Sequence, residues 1–210
     1  MKPYPSIPSS VGMNFREFQA YVFDKLDGSN LRFEYTRKRG WDKFGTRTRL
    51  FDETDTDFGC AIPIFRDTWE KDLTAIAKDQ RWDHLIVFME FWGPNSFAGH
   101  HEASDPKTLT LIDACPNKKG ILGPAEYLSI FRNLKIAHLL TMCKWTRGFV
   151  EGIRAGKDPS DGPRKMTFEG VVGKGGSGHR LVMAKAKTQA WVDKVKAKFS
   201  VDEARRILES

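Results

Sequence analysis

Residues 23–30 read FDKLDGSN. The apolar run Tyr21–Val22–Phe23 before it suits a strand, and Asp27–Gly28–Ser29–Asn30 suits a turn in which Gly28 can take a positive φ. Strands over 20–25 and 31–37, joined through that turn, are the local expectation. Lys25 lies at the end of the first strand, beside a carboxylate and a flexible joint. It is either an ordinary surface lysine or an amine held out for chemistry, and the choice depends on what the rest of the chain supplies.

Moving outward, residues 1–12 form a lead-in with three prolines, and Asn14–Tyr21 suits a short helix or turn. GWDKFG (40–45) suits a turn and TRTRLF (46–51) a strand with Arg47 and Arg49 on one face. Trp69, Leu73 and Ile76 recur at helical spacing within 66–80. HLIVFMEFWG (84–93) is a short apolar run that suits a buried strand, and Glu90 within it is costly unless paired or open to solvent. A further strand is expected over 108–116, and Pro124 opens a helix over 123–140. Two strands, 165–174 and 179–187, flank the GGSG link at 175–178, and two helices close the chain, the second capped by Ser200. The expected class is α+β, mostly antiparallel sheets flanked by helices.

At 210 residues the chain has room for one core of catalytic size. Its net charge of +7 and pI near 9.3 favour a polyanionic partner. Seven basic residues against two acids lie between Arg32 and Arg49, and a second basic group spans Lys185–Lys198. Cys60, Cys115 and Cys143 have no paired spacing, so neither a disulfide framework nor a zinc site is expected, and the five histidines form no spaced ligand set. Prolines interrupt the start of the chain where a signal peptide needs a continuous apolar segment, and no stretch reaches the length of a membrane span. A cytoplasmic protein without a membrane partner is expected.

Four segments carry the chemistry: KLDGSN (25–30), FMEFWG (88–93), EGVVGK (169–174) and KAK (185–187). In this order they resemble the nucleotidyl-lysine, third, fourth and fifth motifs of the ATP-dependent ligases and mRNA capping enzymes. With FGTRTR (44–49) and Trp191 the pattern is most similar to the RNA ligase branch, over roughly residues 20–192. The resemblance implies a nucleotidyltransferase (ATP-grasp-like ligase) core over 1–192, with 193–210 a short helical tail in place of an OB domain. The glycines at 173 and 175–178 do not make a phosphate loop, because no Lys-Ser/Thr pair follows them into a helix.

The chemistry is coherent on physical grounds. A lysine of ordinary pKa ≈ 10.4 is neutral about one part in a thousand of the time at pH 7.4, and lowering that pKa by about three units corresponds to ~4 kcal/mol. Desolvation and neighbouring positive charge from Lys185, Lys187 and a metal ion can supply that shift. In a strand Lys185 and Lys187 face the same way, so both can reach phosphates and neutralise charge that builds in the transition state. Glu169 is the candidate ligand for Mg²⁺ or Mn²⁺.

The resemblance further implies that Lys25 takes AMP from ATP, that Glu90 contacts the ribose, and that Asp27 and Gly28 order the lysine and the pocket. Asn30 stands where many relatives carry arginine, so an arginine after the first motif is expected to contribute phosphate contacts. Arg47 is preferred to Arg49 for that role, without a decision between them. Phe88 and Trp92 share a strand face with Glu90 and either approach the base or pack in the core. The expected reaction joins 5′-phosphate and 3′-hydroxyl ends of nucleic acid, RNA ahead of DNA. A DNA ligase core and a basic nucleic-acid binding protein without activity are the alternatives.

Overall fold

The computed structural model describes residues 3–10, 15–117 and 119–209. The expectations for 11–12 and for Asn14 lie outside the described residues. The chain divides into two compact units: unit 1 is Met1–Pro5 with Asp27–Ile136, and unit 2 is Ser6–Leu26 with Ala137–Ser210. Val192, the expected limit of the core, lies inside a helix of unit 2.

Unit 1 is built on a five-stranded antiparallel sheet. Its strands are β2 (Ser29–Thr36), β3 (Gly40–Gly45), β4 (Leu50–Phe51), β5 (His84–Trp92) and β6 (Thr108–Pro116), in the order β4-β3-β2-β5-β6. Alternation sends Leu31, Phe33 and Tyr35 of β2 to one face. There Phe33 stacks on Phe65 at 4.2 Å, and Trp41 and Phe44 meet the same ring edge-on. Phe65 comes from α1 (Ala61–Thr68), which α2 (Glu70–Asp79) follows after a break at Trp69. The single helix expected over 66–80 is therefore two, with Trp69, Leu73 and Ala77 as the buried stripe. α3 (Pro124–Phe131) docks on β6 through the Tyr127 hydroxyl, which donates to the carbonyl of Leu111 at 2.8 Å.

Unit 2 carries a four-stranded antiparallel sheet of β1 (Phe18–Asp24), β7 (Leu139–Trp145), β8 (Gly170–Gly175) and β9 (Val182–Lys187), in the order β7-β1-β8-β9. One face buries Ala20, Val22, Val171 and Ala186 with Trp145 and Leu140. α4 (Arg147–Arg154) adds Val150 and Ile153, and its N-cap Thr146 accepts from the Phe149 amide at 3.1 Å. α5 (Gln189–Lys198) is capped in the same way by Thr188. α6 (Val201–Glu209) begins with a reciprocal cap: Ser200 Oγ accepts from the Glu203 amide, and the Glu203 carboxylate accepts from the Ser200 amide. The Ser200 cap expected from the sequence is in place.

Three expectations are corrected. β1 and β2 do not pair across DGSN, because they belong to different sheets. The helix expected over 123–140 stops at Phe131, and its last two residues open β7. GWDKFG is strand β3, and Thr46–Arg49 is the turn after it, closed by the Thr46 amide donating to the Arg49 carbonyl at 2.8 Å. Among the described residues no helix is long and apolar enough to cross a membrane.

Asp24 ends β1 half-buried and accepts from the Thr167 amide at 3.2 Å. Burial pushes its carboxyl from 3.8 up to about 6, with the Thr167 bond offsetting part of the rise. The folded form therefore binds more protons than the unfolded form between those values, and stability falls as pH rises through that window. Asp24→Asn keeps the acceptor and removes the charge. It should stabilise the protein above pH 6 by about 1 kcal/mol after discounting for solvent screening, with the advantage vanishing below pH 4. Denaturant titrations of both proteins across that range check this.

Candidate active site

Backbone register assembles the lysines of unit 2. Asp24 pairs with Val171, and the Lys25 amide donates to the Gly170 carbonyl at 3.0 Å, so Lys25 stands opposite Gly170, which in turn pairs with Lys187 of β9. Lys25, Gly170 and Lys187 thus form one row across three strands, with a side chain missing at the centre. Gly170 is required there twice over. Its φ is +133°, and a Cβ would lie 2.1 Å from the Ala186 carbonyl oxygen.

Glu169 enters beside this row, 3% exposed. Its Oε1 lies 2.8 Å from Lys25 Nζ and 3.6 Å from Lys187 Nζ. Lys187 also donates to the Ile207 carbonyl at 3.0 Å and lies 4.4 Å from the Trp191 ring centre. Lys185 faces the same way and is 2% exposed, its backbone clasped on both sides: its amide donates to Pro8, and its carbonyl accepts from Ser10, each at 3.0 Å. Thr167 Oγ1 donates to the Lys25 carbonyl at 2.6 Å and fixes the backbone of the lysine.

Lys174 belongs to the same face, because it pairs with Tyr21 and Met183 and lies 5.0 Å from the Phe23 ring centre. It is 3% exposed. The sequence quoted it in EGVVGK without assigning it a role. Its place two residues beyond Val172, which sits across from Lys185, is the signal that a strand assignment offered. One face of this sheet therefore carries Lys25, Lys174, Lys185 and Lys187 with the carboxylate of Glu169. An excess of buried positive charge of this kind is suited to a polyphosphate.

The remaining motif residues lie in unit 1. Asp27 Oδ1 accepts from the Gly99 amide, and Ser29 Oγ donates to the Gly99 carbonyl, both at 3.3 Å. His101 Nε2 lies 2.9 Å from Ser29 Oγ, and its Nδ1 lies 3.3 Å from Ser96 Oγ. The loop at 96–101 is thus tied to the DGS turn, a role that the sequence did not give to His101. Burial pulls the His101 imidazole below its ordinary value, helped by Lys107 and His100. Gly28 does not use a positive φ. It is needed for close approach instead, since a Cβ would sit 2.3 Å from the Phe91 carbonyl oxygen.

Alternation on β2 and β5 gives this sheet a polar face. Asn30 pairs with Glu90 and Arg32 with Phe88. Phe88 is 1% exposed and packs on Tyr4 at 4.9 Å. Trp92 donates from Nε1 to Thr110 Oγ1 at 3.0 Å. Arg47 and Arg49 do not share a strand face, because both lie in a turn. Arg49 is bound by Asp55 and Asp57, and it holds the Asp55 carboxyl down at about 2. Arg47 has a buried Nε without a hydrogen-bond partner among the described residues.

No protein-family model matches the chain, and no curated protein sequence matches it. Solved structures do. A ligand-free mutant of the Naegleria gruberi RNA ligase superposes with a TM-score of 0.61 at 18% identity, covering 87% of this chain and 52% of that one. A mutant of the same ligase with AMP and manganese gives 0.58 at 21% identity, covering 85% and 51%. The ligase with pyrophosphate gives 0.59 at 20% identity, covering 87% and 52%. The chain spans about half the length of these proteins, and over most of its own length it has the fold of an RNA ligase.

Proposed function

We propose that this chain is the adenylylating core of an ATP-dependent RNA ligase and that Lys25 is its nucleophile. One observation carries the reading. Lys25 Nζ sits 2.8 Å from the buried carboxylate of Glu169, on a sheet face that it shares with Lys174, Lys185 and Lys187. The solved RNA ligases of this fold, described with AMP and manganese or with pyrophosphate, support it.

The residues suit the chemistry. Among the described residues no three acidic, histidine or cysteine side chains gather into a protein cage for a metal. A magnesium or manganese ion at a phosphate site needs only one or two carboxylates, its other ligands being phosphate oxygens and water, and Glu169 offers one. When bound, the ion supplies positive charge against the phosphate oxygens.

As drawn, the Glu169 carboxylate stabilises the ammonium form of Lys25, so attack requires that a proton leave. Glu169 Oε1 is within proton-transfer distance of Nζ. Lys174, Lys185 and Lys187 favour the neutral amine by like-charge repulsion. The amine then forms a bond to the α-phosphorus of ATP as the bond from that phosphorus to the bridging oxygen breaks, and pyrophosphate leaves with the electron pair. Lys185 and Lys187 oppose the charge that accumulates on the phosphates. Glu90 is assigned to the ribose, Asp27 and Gly28 to the turn that carries the motif, and Arg47 to a phosphate. In later steps AMP passes to a 5′-phosphate, and a 3′-hydroxyl displaces it. The basic residues at 185–198 supply backbone contacts that weaken with salt.

Incubation with α-labelled ATP and magnesium should label the wild-type chain and not Lys25→Ala. Glu169→Ala and Lys187→Ala should each slow labelling at least tenfold, about 1.4 kcal/mol of barrier. Wild-type labelling in both would remove the site as assigned. Arg47→Ala should slow labelling more than Arg49→Ala, whose guanidinium is already occupied by Asp55 and Asp57; the reverse order would return the role to Arg49. Nicked RNA and DNA substrates differing only in the 2′-hydroxyl at the break test the preference for RNA.

A further inference from the structure

Asn30, Arg32 and Glu34 alternate along β2 onto the polar face of the unit 1 sheet, with Arg32 in the middle. In the sequence Arg32 opens the basic strip that runs to Arg49. In the structure it is 6% exposed. Its Nε and Nη1 are buried and have no hydrogen-bond partner among the described residues. A buried guanidinium in this condition is costly, and cations that folds bury are ordinarily paired. Within its strand the carboxylate is Glu34, whose Oε1 lies 3.1 Å from His84 Nε2 and 3.4 Å from Lys43 Nζ and whose Oε2 is buried without a hydrogen-bond partner among the described residues, so the pair does not satisfy the guanidinium. Burial pulls the Arg32 guanidinium below its ordinary value, and Glu34 offsets part of that.

Two more donors lie at the same end of the strand. Asn30 Nδ2 and Arg47 Nε are likewise buried without partners. Arg32 pairs with Gly45, the last residue of β3, and Arg47 lies two residues further on, in the turn that leads to β4. Gly45 itself makes the room: a Cβ there would lie 3.0 Å from Arg32 Nε. Two guanidinium groups and an amide, all donors, thus lie along the first half of β2 and in the β3–β4 turn that follows its partner strand, and the acceptor such donors need is an anion with several oxygens.

We infer that Arg32, with Asn30 and Arg47, receives a phosphate group, and that Arg32 is a specificity residue outside the four motifs. This rests on the ligase reading for the source of the phosphate: either the nucleotide or the 5′-phosphate of a polynucleotide end. Arg32→Met removes the charge and keeps most of the volume, and Arg32→Lys keeps the charge without the fork.

Without ligand, Arg32→Met should melt at or above the wild-type temperature, since it removes an unpaired buried charge; a merely structural arginine would lower it. Calorimetric titration with inorganic pyrophosphate should show binding to wild type weakened at least tenfold in both variants. Labelling with α-labelled ATP, and AMP transfer from pre-adenylylated protein to 5′-phosphorylated RNA, then separate the sources: a tenfold loss in the first assigns the nucleotide, and a loss confined to the second assigns the polynucleotide end. Wild-type pyrophosphate affinity in Arg32→Lys together with wild-type rates in both reactions overturns the proposal, as does a destabilised Arg32→Met whose Arg32→Lys counterpart binds normally. If wild type takes up no label, the ligase reading fails, while the pyrophosphate titration still decides whether Arg32 receives phosphate.

Discussion

The contact between Lys25 and Glu169 is the constraint around which unit 2 is arranged. A carboxylate 3% exposed is tolerated only with a cation against it, and a lysine beside it is held in one place rather than swinging in solvent. The pair exists because the Lys25 amide is hydrogen-bonded to Gly170, because Gly170 has no side chain to fill the row, and because Lys187 closes the row from β9. Each condition is a backbone condition. The geometry of the pair is therefore set by the backbone of a three-strand ladder.

Both units use their sheets in the same way. One face is given to the core, through Phe33 and Phe65 in unit 1 and through Val22, Val171 and Trp145 in unit 2. The other face carries polar and charged side chains: lysines with Glu169 in unit 2, and Arg32 with Asn30 in unit 1. A sheet that only had to fold would gain from apolar residues at such positions. The KLDGSN motif is divided between the two, Lys25 and Leu26 ending one unit and Asp27–Asn30 beginning the other.

Much of this was legible in the sequence. The α+β class, the strands at 84–92 and 108–116, the closing helices and the face shared by Lys185 and Lys187 all follow from periodicity, and the four motifs picked out Lys25 and Glu169. What was illegible had physical causes. Leu139–Trp145 alternates too weakly to separate from the apolar stretch before it, so the expected helix runs into the first two residues of β7 and no strand is read after it. Arg47 and Arg49 alternate with threonines as a strand would, but the Thr46 amide closes a tight turn instead. Gly28 was credited with a positive φ when the need is space beside Phe91. Arg32 could not be singled out from the basic strip it opens, because burial on a sheet's polar face depends on strands far away in the chain, and His101 is brought to Ser29 by tertiary structure alone.

Four lysines share one sheet face, yet only Lys25 has its backbone fixed by both Gly170 and Thr167 with Glu169 against its amine. Peptide mass mapping of the wild-type chain after incubation with ATP and magnesium decides among them most directly. The account predicts a single AMP adduct, on the peptide carrying Lys25. An adduct on Lys174, Lys185 or Lys187, or none at all, would contradict it.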